Sequence, residues 1–259
     1  MKKKIISLCM FILLVYNAFS QSKPSGKHFI LNVDYNRFWK NDTTAFVEIS
    51  TGLYPSLATL QKDDSGIHGK VDVFIMITRN TDGQIVFNNR YAVALSYPDS
   101  QALARARMVV NNTTYELERN IYRVDVRCTD VNDAAKRDSS SFQIEIGSKP
   151  QKESVSDIEL CSEIVTSTDV ENSFYKNSYQ VIPNPSCTFG SSYLPTLFFY
   201  VELYNLTAPN LYTFTTRLVN SSQTVVKSQH RTRSIPSRNI VDVFKMNVGS
   251  FVSGKYLLV

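Results

Sequence analysis

Short stretches rich in Val, Ile, Thr and aromatic residues, each closed by a turn signal, recur along the whole chain, and that spacing commits it to strands. The first set covers residues 29–35, 45–49, 71–78, 85–95, 122–128 and 142–146. Asn80, Thr81, Asp82 and Gly83 join two of these, and an Asp-Gly pair supplies the positive φ angles of a tight hairpin. Only residues 101–108, with Ser100 as cap and Pro98 before it, suit a helix, and the alternation of Ala104, Ala106 and Met108 suits a strand equally. With 14 Tyr and 15 Phe against nine Gly in 259 residues, composition adds to the case for all-β over α/β.

A polar stretch from Gly147 to Ser156 has no apolar period and marks a boundary. A second set of strands follows at 157–160, 179–182, 197–204, 212–219, 224–227 and 241–248, and its order echoes the first. Phe46 to Ile49 match Tyr200 to Leu203, Asn80 to Gly83 match Asn220 to Gln223, and Asn120 to Tyr122 match Gly254 to Tyr256, at offsets of 154, 140 and 134 residues. An old duplication accounts for these drifting offsets. The expected fold is two tandem immunoglobulin-like β-sandwich domains, 27–148 and 157–259, joined by a linker at 149–156. In each, a Tyr (Tyr122, Tyr256) opens an alternating strand, as at a tyrosine corner, although Cys128 lies six residues on rather than two. The second domain reaches Val259 inside its Tyr strand and so lacks the closing strand that residues 142–146 give the first. An open edge of this kind is unpaired. The expectation is a fragment of a longer chain, with strand donation by a partner as the alternative.

Lys2, Lys3 and Lys4, an apolar run over 5–16, and Ala18, Phe19 and Ser20 before Gln21 read as a signal peptide over residues 1–20. The run of 12 is short of the ~20 residues that span a bilayer, so no membrane segment is expected after cleavage. Removal of those lysines leaves 25 basic against 23 acidic side chains, and the +5 of the whole chain falls to about +2. That balance excludes a generally basic nucleic-acid binder. The charge is uneven: Glu153, Asp157, Glu159, Glu163, Asp169 and Glu171 crowd one segment, whereas from Arg217 onward seven cations face only Asp242.

Catalytic signatures are absent: no nucleophile elbow, phosphate loop, dinucleotide fingerprint or zinc-protease motif occurs. The three histidines, His28, His68 and His230, are far apart in polar settings, so no catalytic residue, cofactor or metal site is expected. Cys161 and Cys187 can close a 26-residue loop, worth roughly 3.5 kcal/mol by chain entropy, leaving Cys128 on an inner strand; three core thiols are the other reading. Asp130, Asn132 and Asp133 share the pattern of a calcium sequence but fit an Asp/Asn-rich loop better. Lys227, His230, Arg231, Arg233 and Arg238 form a basic strip around Pro236, suited to an anionic partner or to a solvated loop. The strip lacks aromatic rings for stacking bases.

Several words in the second half, Ser156-Asp157-Ile158-Glu159-Leu160, Phe174-Tyr175-Lys176-Asn177, Val181-Ile182-Pro183-Asn184-Pro185-Ser186 and Phe199-Tyr200-Val201-Glu202-Leu203-Tyr204-Asn205-Leu206, occur in an order and spacing that resemble the bacterial GWxTD domain-containing proteins. Val33-Asp34-Tyr35, Phe38 and Phe46-Val47-Glu48-Ile49 extend the resemblance upstream. It implies an exported protein of Bacteroidetes-like bacteria with a β-rich region before a C-terminal Gly-Trp-x-Thr-Asp module, which this chain lacks, its one Trp being Trp39. The expected function is a non-enzymatic binding or assembly module at the bacterial envelope, exported to the periplasm, the outer membrane or the medium, whose partner is an envelope protein or anionic glycan. The alternative is an accessory domain pair of an envelope enzyme or glycan-processing system, with an interdomain pocket using Glu48, Glu202 and Tyr204. Convergent carboxylates in a shared cleft would favour the second; separately bonded ones the first.

Overall fold

The computed structural model describes residues 29–259, so the expected leader, with Cys9 and His28, lies outside the described residues. The fold is all-β and antiparallel throughout. In the first sandwich, β1 (Leu31–Trp39), β2 (Thr44–Leu53) and β6 (Val109–Glu118) form one sheet in the order β1-β2-β6. The facing sheet is built on β4 (Gly66–Arg79), with β5 (Ile85–Tyr97) on one side, β7 (Asn120–Asp130) and then β8 (Arg137–Ile146) on the other, and the short β3 (Gln61–Asp63) at one end. Alternation decides which side chains meet: Val71, Val73, Ile75 and Ile77 of β4 are fully buried against Val47 and Ile49 of β2 and Val124 and Val126 of β7.

The second sandwich repeats this plan. It comprises β9 (Ser154–Val155), β10 (Glu159–Thr166), β11 (Tyr175–Lys176), β12 (Tyr179–Pro183), β13 (Thr196–Tyr204), β14 (Asn210–Asn220), β15 (Val225–Ile235), β16 (Ile240–Asn247) and β17 (Tyr256–Leu258). Strands β10-β13-β16 reproduce β1-β2-β6, and β15-β14-β17 reproduce β5-β4-β7. The additions are the β11–β12 hairpin on the outer side of β10 and β9 beside β13. Where β8 flanks β7, nothing among the described residues flanks β17, which pairs only with β14.

Local chemistry explains the turns. Gly83, at φ +71°, donates to Arg79 O at 2.9 Å, and Arg79 N closes the hairpin on Gln84 O at 2.8 Å. At the equivalent turn, Gln223 takes φ +62° and Asn220 N bonds Thr224 O. Both tyrosine corners form despite the displaced cysteine: Tyr122 donates to Glu118 O at 2.9 Å, and Tyr256 to Val252 O at 2.7 Å. The bond needs only the turn and the phenol, so the Cys spacing was no obstacle.

Three local expectations are corrected. The helix is α1 (Ser100–Ala104), capped not by Ser100 but by Asp99, whose carboxylate accepts from Ala102 N at 2.7 Å; with no buried residue to hold it, it stops well before Met108. The strand expected at 157–160 begins at Glu159, because Asp157 is held by Arg37. The basic strip is not a loop: β15 continues to Ile235, paired with β14, and its alternating charges suit an exposed edge. Asp130 is an inward loop anchor, its two oxygens accepting from the backbone of Thr59, Asn132 and Asp133. Among the described residues no helix is long and apolar enough to cross a membrane.

Candidate functional site

The outer face of the β1-β2-β6 sheet is covered by the second sandwich. Alternate residues of β2 therefore bury a polar face, with Glu48 at 7% exposure and Ser50 at 0%, behind the apolar one. Contact is close enough at Gly52 that a Cβ there would stand 2.8 Å from Pro185 Cγ and 2.6 Å from Met108 Sδ. Phe38 joins Cys161, Val181 and Tyr200 in a small apolar cluster shared by both sandwiches.

At its centre lies Lys176. The β11–β12 turn is made by Asn177 and Ser178, both in the left-handed region (φ +50° and +67°), as a two-residue hairpin requires. That hairpin drives the Lys176 ammonium between Glu48, at 2.8 Å, and Glu159, which it also bonds. The ring faces of Phe38 and Tyr200 flank the ammonium at 4.3 and 4.2 Å. Asn112 donates to Glu48 at 3.0 Å and accepts from Ser50. Burial opposes the lysine's charge, but the two carboxylates outweigh it and hold Lys176 above its ordinary value. Glu159 carries the cost: desolvation pushes it up to about 7, the lysine lowers it and the charge of Glu48 raises it. Two carboxylates share one cation, so the directions agree physically: the ammonium stays charged, and the fully enclosed acid is the one that gives way.

A second cluster surrounds Glu202. It accepts from Tyr200 Oη at 3.0 Å, Tyr204 Oη at 2.8 Å and Asn177 Nδ2 at 3.4 Å. Tyr204 Oη in turn accepts from Trp39 N at 2.9 Å, tying β13 to β1. Burial, together with the neighbouring Glu202, raises both phenols, which remain neutral donors. A third tie is the fork of Arg37 on Asp157, with Nε to Oδ2 at 2.7 Å and Nη2 to Oδ1 at 3.0 Å, while Arg37 N also donates to Oδ2. The linker is itself tacked down: Lys149 N bonds Asp42 O, and Asn205 Nδ2 donates to the carbonyls of Pro150 and Lys152.

Glu48, Glu202 and Tyr204 thus meet at one junction, each bound to a different set of partners, and Lys176, Phe38 and Tyr200 occupy the space where a pocket was expected. The two cavities described, about 590 and 720 Å³, lie in the second sandwich and are lined by none of these three residues. Cys161 and Cys187 are separate thiols, so the expected loop closure is not formed. Cys161 points into the junction cluster and donates to Glu159 O. Cys187 lines the larger cavity with Leu160, the neighbour that faces the other side of β10. Cys128 is buried, and desolvation pushes its thiol up to about 12, as suits an inert core group.

The basic strip is divided. Lys227, Arg231 and Arg233 point inward from β15: Arg231 and Arg233 both bind buried Asp242, Arg231 also donates to Val243 O at 3.1 Å, and Lys227 to Asn247 O at 3.3 Å. His230 faces the other way, against Thr215, and Arg238 lies beyond the strand, its carbonyl accepting from Leu206 N. Sequence reasoning missed Lys176, Glu159, Asn112 and the Arg37–Asp157 fork; the Asn-Ser pair after Lys176 was the one local signal. No protein-family model matches the chain, and no curated protein matches it.

Proposed function

We propose that the chain is an exported, non-enzymatic pair of β-sandwiches that works as a preassembled binding or assembly module at the bacterial cell envelope. The observation that carries this reading is the Lys176 clamp. The carboxylates best placed for chemistry between the sandwiches are spent on holding them together, leaving loops and strand edges as the surfaces for recognition. The side of β17 turned from β14 is one such edge, suited to an added strand. The lysine-led, apolar leader and the resemblance to GWxTD domain-containing proteins support the envelope location. The rival accessory-enzyme reading needs an open pocket at Glu48 and Glu202, where the side chains are packed.

The test is expression of the whole chain in a Bacteroidetes host, followed by fractionation and N-terminal sequencing. A product starting at Gln21 and cofractionating with periplasm, envelope or medium is expected, together with an envelope partner captured equally by wild type and by Glu48→Gln. Unprocessed protein retained in the cytosol refutes the reading.

A further inference from the structure

We propose that the groove between the free edges of β15 and β16 binds a small anionic amphiphile: an alkyl or aryl group bearing one carboxylate, phosphate or sulfate. The groove, about 590 Å³, is within the size range of small-molecule sites. Its apolar wall comes from Phe198, Phe214, Val243 and Phe244. Phe244 is stacked on Phe199 at 5.0 Å on one side and covered by the Arg231 guanidinium at 4.3 Å on the other. Arg231 and Lys245 supply the cations, and no lining residue carries a carboxylate.

Comparison of the two sandwiches shows why the groove exists. The β4–β5 and β14–β15 hairpins carry one bulge each, at Ile77/Thr78 and Leu218/Val219, and counting from it aligns Phe87 with Lys227, Tyr91 with Arg231 and Val93 with Arg233. In the first sandwich those three pack on the core; in the second, cations stand in their place and the edge stays open. Asp242, the one acid after Arg217, is already shared by Arg231 and Arg233, which leaves the group net positive. Arg231 and Lys227 cap the outward carbonyls of Val243 and Asn247, which discourages an added strand here. Lys245 lies between those two residues and, among the described residues, its ammonium makes no hydrogen bond or ion pair. Val248 N bonds Pro195 O, and by that parity the backbone N–H of Lys245 also points outward. An anionic head on these donors places its tail against Phe198 and Val243, which share with Lys245 one face of β13 and β16. The site lies on the second sandwich alone and is independent of the envelope role.

The experiment is calorimetric titration of the purified chain with monomeric decyl phosphate, alongside inorganic phosphate and neutral decyl maltoside. Saturable one-to-one binding is expected, about tenfold or more weaker for both controls and for Lys245→Glu, which lies on the surface and removes the free cation. Gln229→Trp, filling the mouth from an exposed position, gives a similar loss. Equal binding of decyl maltoside, indifference to both substitutions, or no saturable heat overturns the proposal. Sedimentation with phosphatidylglycerol-containing vesicles separates the sources. Binding that Lys245→Glu abolishes identifies a bilayer headgroup as ligand, and binding of the monomeric probe alone identifies a free amphiphile.

Discussion

Lys176→Met keeps the apolar stem between Phe38 and Tyr200 but leaves two carboxylates without their cation. Glu48 and Glu159 have side chains only 10% and 0% exposed, so water cannot replace the ammonium. At 2.8 Å and an effective dielectric of about 20, the Glu48 contact alone represents about 6 kcal/mol of attraction before desolvation. Desolvation offsets much of that, and breaking a buried pair by removing one partner costs ~3–5 kcal/mol net. The measurement belongs at pH 8, where Glu159 is mostly ionised in the parent; removing Lys176 raises it further, so what the variant regains by taking up a proton there shrinks as the pH rises. Urea unfolding can be followed through Trp39, the only tryptophan, whose backbone is bonded to Tyr204 across the junction. With a slope of ~1–3 kcal/mol per molar urea, the midpoint falls by ~1 M or more. The triple variant Glu48→Gln, Glu159→Gln, Lys176→Met removes all three charges and should recover more than half of the loss. A single variant within ~0.5 M of the parent, or a triple variant as unstable as the single, refutes the clamp.

Glu159 also gives the junction a pH dependence. Its folded value lies above the ordinary 4.5, so the stability it contributes is complete below that value and is lost as the pH rises through about 7. At 1.36 kcal/mol per unit this amounts to about 3 kcal/mol. Glu159→Gln does not titrate, so the stability difference between wild type and variant narrows by that amount between pH 4 and 8; a constant difference contradicts the assignment. Tyr122→Phe removes the corner bond to Glu118 O and should cost ~1 kcal/mol in chemical denaturation, with Tyr256→Phe costing a similar amount; stability unchanged in both means the corners contribute nothing. In the native protein exposed Cys187, its thiol pushed up to about 11 by desolvation, reacts with iodoacetamide slowly and faster as the pH rises, whereas Cys128 and Cys161 react only on unfolding. A Cys161–Cys187 disulfide in non-reducing peptide maps of the exported protein counts against the thiol assignment.

Much of the fold was legible locally. A strand needs only residues two apart to declare its buried face, and a hairpin only a Gly or Asn at the right offset, so the β segments, the Asp82-Gly83 turn and the echo between the halves could all be read from neighbours. The extent of β15 could not: its charges suggest solvent, and the pairing with β14 that makes it a strand depends on Phe214 and Thr216 being presented at the facing register. The functional residues were harder still. Glu48 and Glu202 looked equivalent because their strands are equivalent, yet they differ in their partners, and each is reached by a residue of the added β11–β12 hairpin, Lys176 for Glu48 and Asn177 for Glu202, which has no counterpart in the first half.

The sequence by itself determined that this chain forms two antiparallel sandwiches of one plan, since alternation and turn chemistry act over a few residues. Only the tertiary structure decided that their polar faces close on each other, placing Lys176 against Glu48 across 128 residues of chain. It also decided that the cations of β15 flank a groove. Such encounters depend on which sheet faces are covered and at what separation. No pattern of adjacent residues encodes that, because the free energy of a buried charge is set by whatever surrounds it in space.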